Sequence, residues 1–351
     1  MALKKMMVAA SLATAVAATA GTVVFAADAA KTDLLANVDH VQWLDINRLI
    51  ASQETDAGRV DYLVDVNSGK YEKLLDAQNA SELAVSPDGS KAAYTDTSGA
   101  IFVLDLVAKT SKSIASNSEI KPELVWSSDG SALYFLQGDK GSLVNKLDLA
   151  SGAITKVLED KKDYKANLSV SATGKWVTYT LTVPPVVTAP SDKAVEEDAV
   201  TIDDSSAAMN VYQYDTSVSD NKAVQLSKST DDKVFVGTDP SGAASYYIDI
   251  PAGDAKAKLV AVTAAGAEKT LFADQDVYQA KYAGGVLYAL TSGPAGKNQI
   301  YAVSPTGAST LLYTVDENTT GIEVSKSGLI AIEADGKTYV EKNGQWVQVT
   351  Q

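Results

Sequence analysis

Few side chains in this sequence could carry out catalysis, and their types restrict the chemistry. The chain has no cysteine and one histidine, His40, which follows Asp39. A Ser-His-Asp site would have to use His40, and the sequence has no G-x-S-x-G segment to present its serine on a sharp turn. It also has no H-E-x-x-H segment, cysteine cluster or glycine-rich phosphate loop. The sequence therefore predicts no catalytic residue, no metal site and no cofactor.

Carboxylates are the abundant reactive groups. Asp and Glu number 44 against 30 Lys and Arg, which gives a formal net charge of −14. Paired carboxylates can act as acid and base on sugars, but the sequence does not set the distance between them. A surface of this sign repels nucleic acid and anionic lipid headgroups. We therefore expect no nucleic-acid partner, and cations, basic proteins and neutral glycans remain as ligands.

The elements that must position these groups repeat along the chain. The segment Glu82–Ile114 reads as four short strands, the first two joined by the reverse turn Ser86-Pro87-Asp88-Gly89. Similar units recur, and a period of about 40 residues with four strands per unit is typical of a β-propeller. The corresponding turn residues are Asn47, Gly89, Gly130, Gly174, Gly242, Gly285 and Gly328. The sequence therefore predicts an all-β fold, a seven-bladed β-propeller of four-stranded antiparallel blades, with six or eight blades as alternatives.

Two turns carry a family resemblance. Ser86-Pro87-Asp88-Gly89 and Ser127-Ser128-Asp129-Gly130, with the strand sequences IFVLDL and KLDL that follow them, resemble the TolB-like, WD-repeat-like β-propeller superfamily. Propeller domains of prolyl oligopeptidase-type peptidases have related repeats, but we expect the propeller alone here, without a peptidase domain. TolB-like proteins are often six-bladed, so seven units depart from that pattern. The resemblance implies a binding scaffold and transfers no catalytic residue.

Two segments differ from the repeats. Residues 1–26 combine Lys4 and Lys5 with an apolar run that ends in Val24-Phe25-Ala26, which is typical of a secretory signal peptide. An uncleaved membrane anchor is the alternative, and no later run is apolar enough to span a bilayer. Residues 27–351 are then expected to form a single propeller domain, with a Pro-rich acidic insertion at 183–207 in the fourth blade. This insertion is either a disordered loop or a lid in which Val186-Val187 pairs with Ala199–Ile202.

Closure of the ring is predicted to involve the N-terminal segment. Lys31–Leu35 has the sequence KTDLL, which is similar to the fourth strand YEKLL of the first unit. It either pairs with the last blade or lies as a tail, and we expect pairing.

Strand topology indicates which face of the propeller binds ligands. In an up-down blade, the first-to-second and third-to-fourth turns share one face, here called the turn face. The second-to-third loops and the links between blades share the other, the loop-rich face. Variable loops on a rigid scaffold usually carry binding, so we predict binding at the loop-rich face. The candidate residues are Asp39, His40, Asp163, Tyr164, Asp231, Asp232, Asp274, Asp276, Tyr278, Asp316 and Glu317 of the links, with Glu196, Glu197 and Asp198 of the insertion.

These candidates have two interpretations. An acidic rim would attract a cation or a basic protein segment, whereas Asp is also common in loops simply because it favours turns. We expect a monomeric, secreted or extracytoplasmic, non-enzymatic module that binds or scaffolds a protein, peptide or glycan of the cell envelope. The alternative is a propeller enzyme, a lyase or glycoside hydrolase, that acts on extracellular polysaccharide through carboxylates or tyrosines near the channel.

Overall fold

The computed structural model describes residues 33–351 except 57, 78–79, 117–118, 139, 161, 163, 189–200, 204–206 and 220–221. The predicted signal peptide at 1–26 and the candidates Asp163, Glu196, Glu197 and Asp198 lie outside the described residues. Among the described residues no helix is long and apolar enough to cross a membrane.

Seven antiparallel sheets of four strands make up the fold, as predicted. In the described part of the chain, a two-stranded ribbon and the 3-10 turn Pro294–Gly296 accompany them. Within each blade the strands are given from the innermost to the outermost. Blade 1 contains β1 His40–Trp43, β2 Arg48–Thr55, β3 Gly58–Asp65 and β4 Tyr71–Ala77; blade 2 contains β5 Ala84–Val85, β6 Lys91–Thr95, β7 Ile101–Asp105 and β8 Thr110–Ala115; blade 3 contains β9 Leu124–Trp126, β10 Ala132–Gln137, β11 Leu143–Asp148 and β12 Ile154–Glu159; and blade 4 contains β13 Lys165–Val170, β14 Trp176–Val183, β17 Ala208–Asp215 and β18 Val224–Gln225. Blade 5 contains β19 Asp232–Thr238, β20 Ala244–Ile250, β21 Lys258–Thr263 and β22 Glu268–Phe272; blade 6 contains β23 Val277–Ala283, β24 Val286–Ser292, β25 Lys297–Val303 and β26 Ser309–Asp316; and blade 7 contains β27 Thr319–Val324, β28 Ile330–Ala334, β29 Lys337–Lys342 and β30 Gln345–Gln348. The ribbon strands are β15 Val186–Thr188 and β16 Thr201–Asp203.

Apolar side chains fill the spaces between neighbouring blades. Second strands such as β10 are buried along almost their whole length because both of their faces meet an adjacent sheet. Outermost strands such as β8 are largely exposed and carry Thr, Ser and Lys, which protects these sheet edges from pairing with other chains. Leu49 and Val64 of blade 1 pack with Ala331 and Val340 of blade 7. The first and last blades therefore share a core, and the ring is closed.

The innermost strands are joined across the channel wall by hydrogen bonds between side chains and backbone. Gln42 Nε2 donates to the Leu83 carbonyl oxygen at 3.0 Å, and the Leu168 N–H donates to Glu123 Oε1 at 2.9 Å. Burial raises the pKa of Glu123. These bonds link blade 1 to blade 2 and blade 3 to blade 4, and they fix the spacing of the strands that surround the channel.

The turn face is built from turns whose carboxylates bond to their own backbone. Ser86 Oγ donates to Asp88 Oδ1 at 2.6 Å and accepts the Lys91 N–H at 3.0 Å. Gly89 has a φ of 71°, a conformation that favours glycine. The Leu106 N–H donates to the Ser90 carbonyl oxygen at 3.0 Å, which joins the two turns of blade 2. The predicted placement of these turns on one face is therefore confirmed.

The N-terminal residues complete the edge of blade 7. Leu35 forms a parallel bridge with Thr350, and the Gln351 N–H donates to the Leu35 carbonyl oxygen at 2.7 Å. Leu34 packs against Gly69, where a Cβ would lie 2.4 Å from Leu34 Cδ2. The predicted pairing of this segment with the last blade is confirmed at Leu35.

The insertion of blade 4 emerges on the loop-rich face. It leaves the end of β14, where the Thr182 N–H donates to the carbonyl oxygen of the link residue Tyr164 at 3.2 Å. Its strands β15 and β16 pair with Val187 opposite Ile202. Of the two alternatives for the insertion, these strands form the hairpin, and Ala199 and Val200 lie outside the described residues.

Candidate functional site

A cavity of about 470 Å³ opens on the loop-rich face between blades 6 and 7. Its lining includes Tyr278, Ser292, Lys297, Asn298, Glu317, Thr319 and Thr320. Tyr278 comes from β23, Lys297 and Asn298 begin β25, and Glu317 belongs to the link between β26 and β27. A register shift between Val277 and Gln279 leaves Tyr278 without a partner on β24, and the side chain of Tyr278 is 56% exposed.

Glycines in the Gly293–Gly296 loop make room for this cavity. A Cβ at Gly293 would lie 2.7 Å from the Lys297 carbonyl oxygen, and one at Gly296 would lie 2.9 Å from Glu317 Oε2. Gly296 also has a φ of 69°. Any larger residue at these two positions would displace the backbone of Lys297 or the carboxylate of Glu317.

Some polar groups of the cavity have a hydrogen-bond or ion-pair partner in the described chain, and others have none. Lys297 is ion-paired with Asp316, and Asn298 Nδ2 donates to the carbonyl oxygens of Glu317 at 3.3 Å and Thr319 at 3.1 Å. The Glu317 carboxylate makes no hydrogen bond or ion pair with the rest of the described chain. Thr319 is 3% exposed, and its hydroxyl has no partner there either. The cavity thus combines an exposed ring with oxygen atoms that still have hydrogen-bonding capacity.

The other predicted link residues do not converge on this cavity. Asp39 Oδ2 accepts the Glu54 N–H at 2.6 Å, and Asp276 Oδ1 accepts the Ala257 N–H at 2.8 Å, so both stabilise loops. Tyr164 is exposed beside Lys140, whose Nζ lies 5.5 Å from the ring centre. Asp231 and Asp274 lie in the links that enter blades 5 and 6, and Asp232 begins β19. Of the predicted residues, the structure brings Tyr278 and Glu317 together in this cavity.

His40 occupies the channel wall. It lines a cavity of about 160 Å³ with Lys281 and Glu323, which are ion-paired with each other. On the adjacent strand, His40 is opposite Ser52, but Ser52 Oγ donates its proton to Asp61 at 2.5 Å. Arg59 Nη2 also donates to Ser52 Oγ at 2.7 Å. Ser52 is 1% exposed, and its proton is directed at Asp61 and not at His40. His40, Ser52 and Asp61 are therefore not arranged as a catalytic triad.

Three lysines of the links are buried, which the sequence did not indicate. Lys165 Nζ donates to the Ser142 carbonyl oxygen at 2.9 Å and to Asp160 Oδ1 at 2.7 Å. Lys233 Nζ donates to the carbonyl oxygens of Ser229 and Asp231 at 2.9 and 2.7 Å, and burial lowers its pKa. Lys121 is buried in the same manner. These ammonium groups hold links together, and that of Lys233 also interacts electrostatically with the rim carboxylates of Asp231 and Asp232.

A second cavity, of about 500 Å³, lies at the turn-face mouth of the channel and was not predicted. Trp43, Ile46 and Pro87 contribute to its lining, and Lys326 Nζ donates to the Pro87 carbonyl oxygen at 2.7 Å between blades 7 and 2. The sequence feature that could have indicated this cavity is the apolar Ile46, which follows Trp43 closely at a turn. In the structure Ile46 is exposed. In the described parts of the chain no three His, Asp or Glu side chains are grouped as metal ligands.

The fold and its cavities define a seven-bladed β-propeller with a polar-aromatic pocket on the loop-rich face. No family model matches this chain, and no curated protein matches it. Similar solved structures include TolB from Acinetobacter baumannii, with 15% identity and a TM-score of 0.50 over 77% of this chain. This chain covers 65% of the TolB chain, which is just under two thirds of its length.

Two further structures cover more of the chain. The β-propeller domain of the Trilobed protease from Pyrococcus furiosus is 13% identical, with a TM-score of 0.58 over 90% of this chain and 95% of that one. An oligogalacturonate lyase from Vibrio parahaemolyticus is 10% identical, with a TM-score of 0.59 over 86% and 87%. At sequence identities this low, the structural similarity shows that the fold is shared and nothing more. The predicted resemblance to TolB-like propellers is therefore confirmed at the level of the fold.

Proposed function

We propose that this chain is an exported β-propeller that binds or scaffolds a protein, peptide or cell-envelope component through its loop-rich face. The observation that carries the proposal is the cavity between blades 6 and 7. It combines the exposed ring of Tyr278 with the Glu317 carboxylate and the Thr319 hydroxyl, neither of which has a partner in the described part of the chain. Concave sites with an aromatic wall and a few convergent polar groups are typical binding sites.

The contrast between the two faces supports this assignment. Carboxylates of the turn face, such as those of Asp88 and Asp129, accept hydrogen bonds from nearby serines and backbone N–H groups. The Glu317 carboxylate accepts no such hydrogen bond within the described chain. A carboxylate that is already hydrogen-bonded offers less to a partner than one that still has bonds to make, and on the loop-rich face Glu317 is of the second kind.

Export is part of the proposal and is supported by the signal-like composition of residues 1–26. The expected mature protein starts at Ala27. N-terminal sequencing of the protein recovered from an envelope or culture fraction would test this. Recovery of the intact N terminus with the cytoplasmic fraction would contradict export.

Affinity capture from native cell envelope tests the binding role. We expect Tyr278→Ala to reduce capture of the partner at least about tenfold, since an aromatic anchor in a binding site commonly contributes more than 1.4 kcal/mol. Tyr71→Ala is the matched control because Tyr71 is also exposed, at 44%, but begins the outermost strand of blade 1. Equal capture by both variants and the wild type would contradict a site at Tyr278.

The ribbon of the insertion is proposed to act as a lid on the same face. Its side chains Val187 and Ile202 are 60% and 64% exposed, and a two-stranded ribbon is marginally stable without a partner. Deletion of residues 184–206 is expected to weaken partner capture while the urea midpoint of unfolding stays unchanged. Unchanged capture would refute the lid, and a lower midpoint would show that the insertion stabilises the blade.

The second candidate function is a lyase or glycoside hydrolase acting on extracellular polysaccharide. It is supported by the fold shared with the oligogalacturonate lyase. The net charge of −14 and the unpaired Glu317 carboxylate would repel an anionic oligosaccharide, so a binding role is favoured. A glycan turnover screen decides between them, because product formation abolished by Tyr278→Ala or Glu317→Gln would establish the enzyme.

A further inference from the structure

We infer that the cavity between blades 6 and 7 receives a cationic side chain, an arginine or lysine, from a basic peptide segment of the partner. This inference rests on the proposed binding function and adds the chemistry of the recognised group. It depends on three observations: the charge balance of the cavity, the state of its buried oxygens and the exposure of its aromatic wall.

The charge balance of the cavity is negative. The ammonium group of Lys297 is neutralised by Asp316 through a direct ion pair. Glu317 is the next residue, is exposed, and lines the cavity with its carboxylate unpaired in the described part of the chain. One uncompensated negative charge therefore remains. The carboxylate also lies against Gly296, whose missing side chain leaves this carboxylate room on the cavity side.

The hydrogen-bonding groups of the cavity require a ligand that donates. The amide of Asn298 already donates to two carbonyl oxygens, and Lys297 is engaged by Asp316. The oxygens that lack partners are those of the Glu317 carboxylate and the Thr319 hydroxyl. The Thr319 oxygen has almost no accessible surface, so the group that a ligand meets is the exposed Glu317 carboxylate, which only accepts hydrogen bonds. Ammonium and guanidinium groups supply three and five N–H donors and accept none.

The aromatic wall fits the same ligand. The bulge in β23 turns Tyr278 away from the ladder and leaves it 56% exposed at the cavity. A cation placed over a tyrosine ring is attracted by the negative face of the ring. The alkyl part of lysine or arginine can pack on the same ring while the charged end reaches the carboxylate. An anionic ligand would be repelled by Glu317, and a neutral sugar would leave its charge uncompensated.

Selection from a library of displayed dodecapeptides tests the inference with the full mature chain as bait. Wild type is expected to enrich peptides with arginine or lysine at one position. Glu317→Gln should lose this enrichment. Glu82→Gln is the matched control because Glu82 is also an exposed link carboxylate without a partner in the described chain, but lies between blades 1 and 2. It should keep the enrichment.

A selected peptide then gives the affinities. Replacing its arginine by citrulline should weaken binding at least about tenfold, and higher salt should weaken the wild-type complex. Absence of basic enrichment, equal enrichment by Glu317→Gln, or unchanged affinity of the citrulline peptide would each overturn the inference. Glycan binding that is lost in Tyr278→Ala would assign the cavity to a sugar and also overturn it. If the inference is overturned but partner capture still depends on Tyr278, the proposed binding function remains supported. If no capture depends on Tyr278, both the inference and the proposed binding function are contradicted.

Discussion

At the scale of single residues, the Asp carboxylates of the Ser-x-Asp-Gly turns have a defined electrostatic role. The hydroxyl of Ser86 beside Asp88, and that of Ser127 beside Asp129, lower the pKa of each carboxyl from 3.8 to about 2. Backbone N–H groups of Ser90 and Ser131 add to this effect. A folded-state pKa below the unfolded one stabilises the protein above pH 3.8, and this stabilisation is lost as the pH falls to about 2.

Asp88→Asn combined with Asp129→Asn is therefore expected to flatten the acid limb of the stability curve. The difference between the urea midpoints at pH 5 and pH 2.5 should be smaller in the double variant than in the wild type. Asp254→Asn is the control, since the Asp254 carboxylate is exposed and makes no hydrogen bond in the described chain. An unchanged difference in the double variant would contradict the role of the two turns.

The buried ammonium group of Lys165 gives a second prediction at this scale. Its side chain is 0% exposed and is paired with Asp160. Lys165→Met removes the charge, leaves the Ser142 carbonyl oxygen without its donor, and leaves the Asp160 carboxylate with only the Lys162 N–H and the Tyr179 hydroxyl as donors. We therefore expect a loss of about 3 kcal/mol in the free energy of unfolding. Lys112→Met, on the exposed strand β8, should change it by less than about 0.5 kcal/mol. Urea unfolding at neutral pH measures both, and a loss at Lys165 no larger than that at Lys112 would show that the pairing does not stabilise the fold.

At the scale of elements, the seam between blades 7 and 1 depends on a short N-terminal segment. Leu35 is 3% exposed and packs with Val349 in the shared core of the two blades. Leu35→Ala is expected to lower the free energy of unfolding by about 2 to 4 kcal/mol because it removes buried apolar volume. Val107→Ala, at a turn position that is 80% exposed, provides the control. Equal urea midpoints for both variants would mean that the segment does not close the ring.

The sequence predicted elements best where local chemistry determined them. Ser86-Pro87-Asp88-Gly89 specifies its turn by itself, and alternating polar and apolar residues indicated the strands, so the blade count was predicted. The hairpin at Val187 was one of two alternatives, because the Pro-rich, acidic insertion is also typical of a disordered loop. The site was predicted only in part. Tyr278 and Glu317 were expected because they lie at or beside links, Tyr278 near the start of β23, whereas Lys297, Asn298 and Thr319 join them only through packing of two blades. The buried Lys165 was missed because a lysine among acidic link residues looks solvated until the fold encloses it.

At the scale of the whole molecule, the scaffold separates stability from recognition. The cores between blades and the bonds along the channel wall hold the ring, while the exposed side chains of Tyr278 and Glu317 in the cavity between blades 6 and 7 lie outside these cores. Substitutions such as Tyr278→Ala and Glu317→Gln are thus expected to leave the free energy of unfolding within about 0.5 kcal/mol of the wild type. A larger drop would mean that the cavity residues also stabilise the ring.

The bridge from Leu35 to Thr350 also has a consequence for the timing of folding. It joins positions separated by nearly the entire sequence, and contacts of this kind form late because the intervening chain must first be ordered. During synthesis the earlier blades can assemble one after another, but the seam has to wait until Thr350 has emerged. For the export proposed above, such a delay would keep the ring open until passage through the membrane is complete.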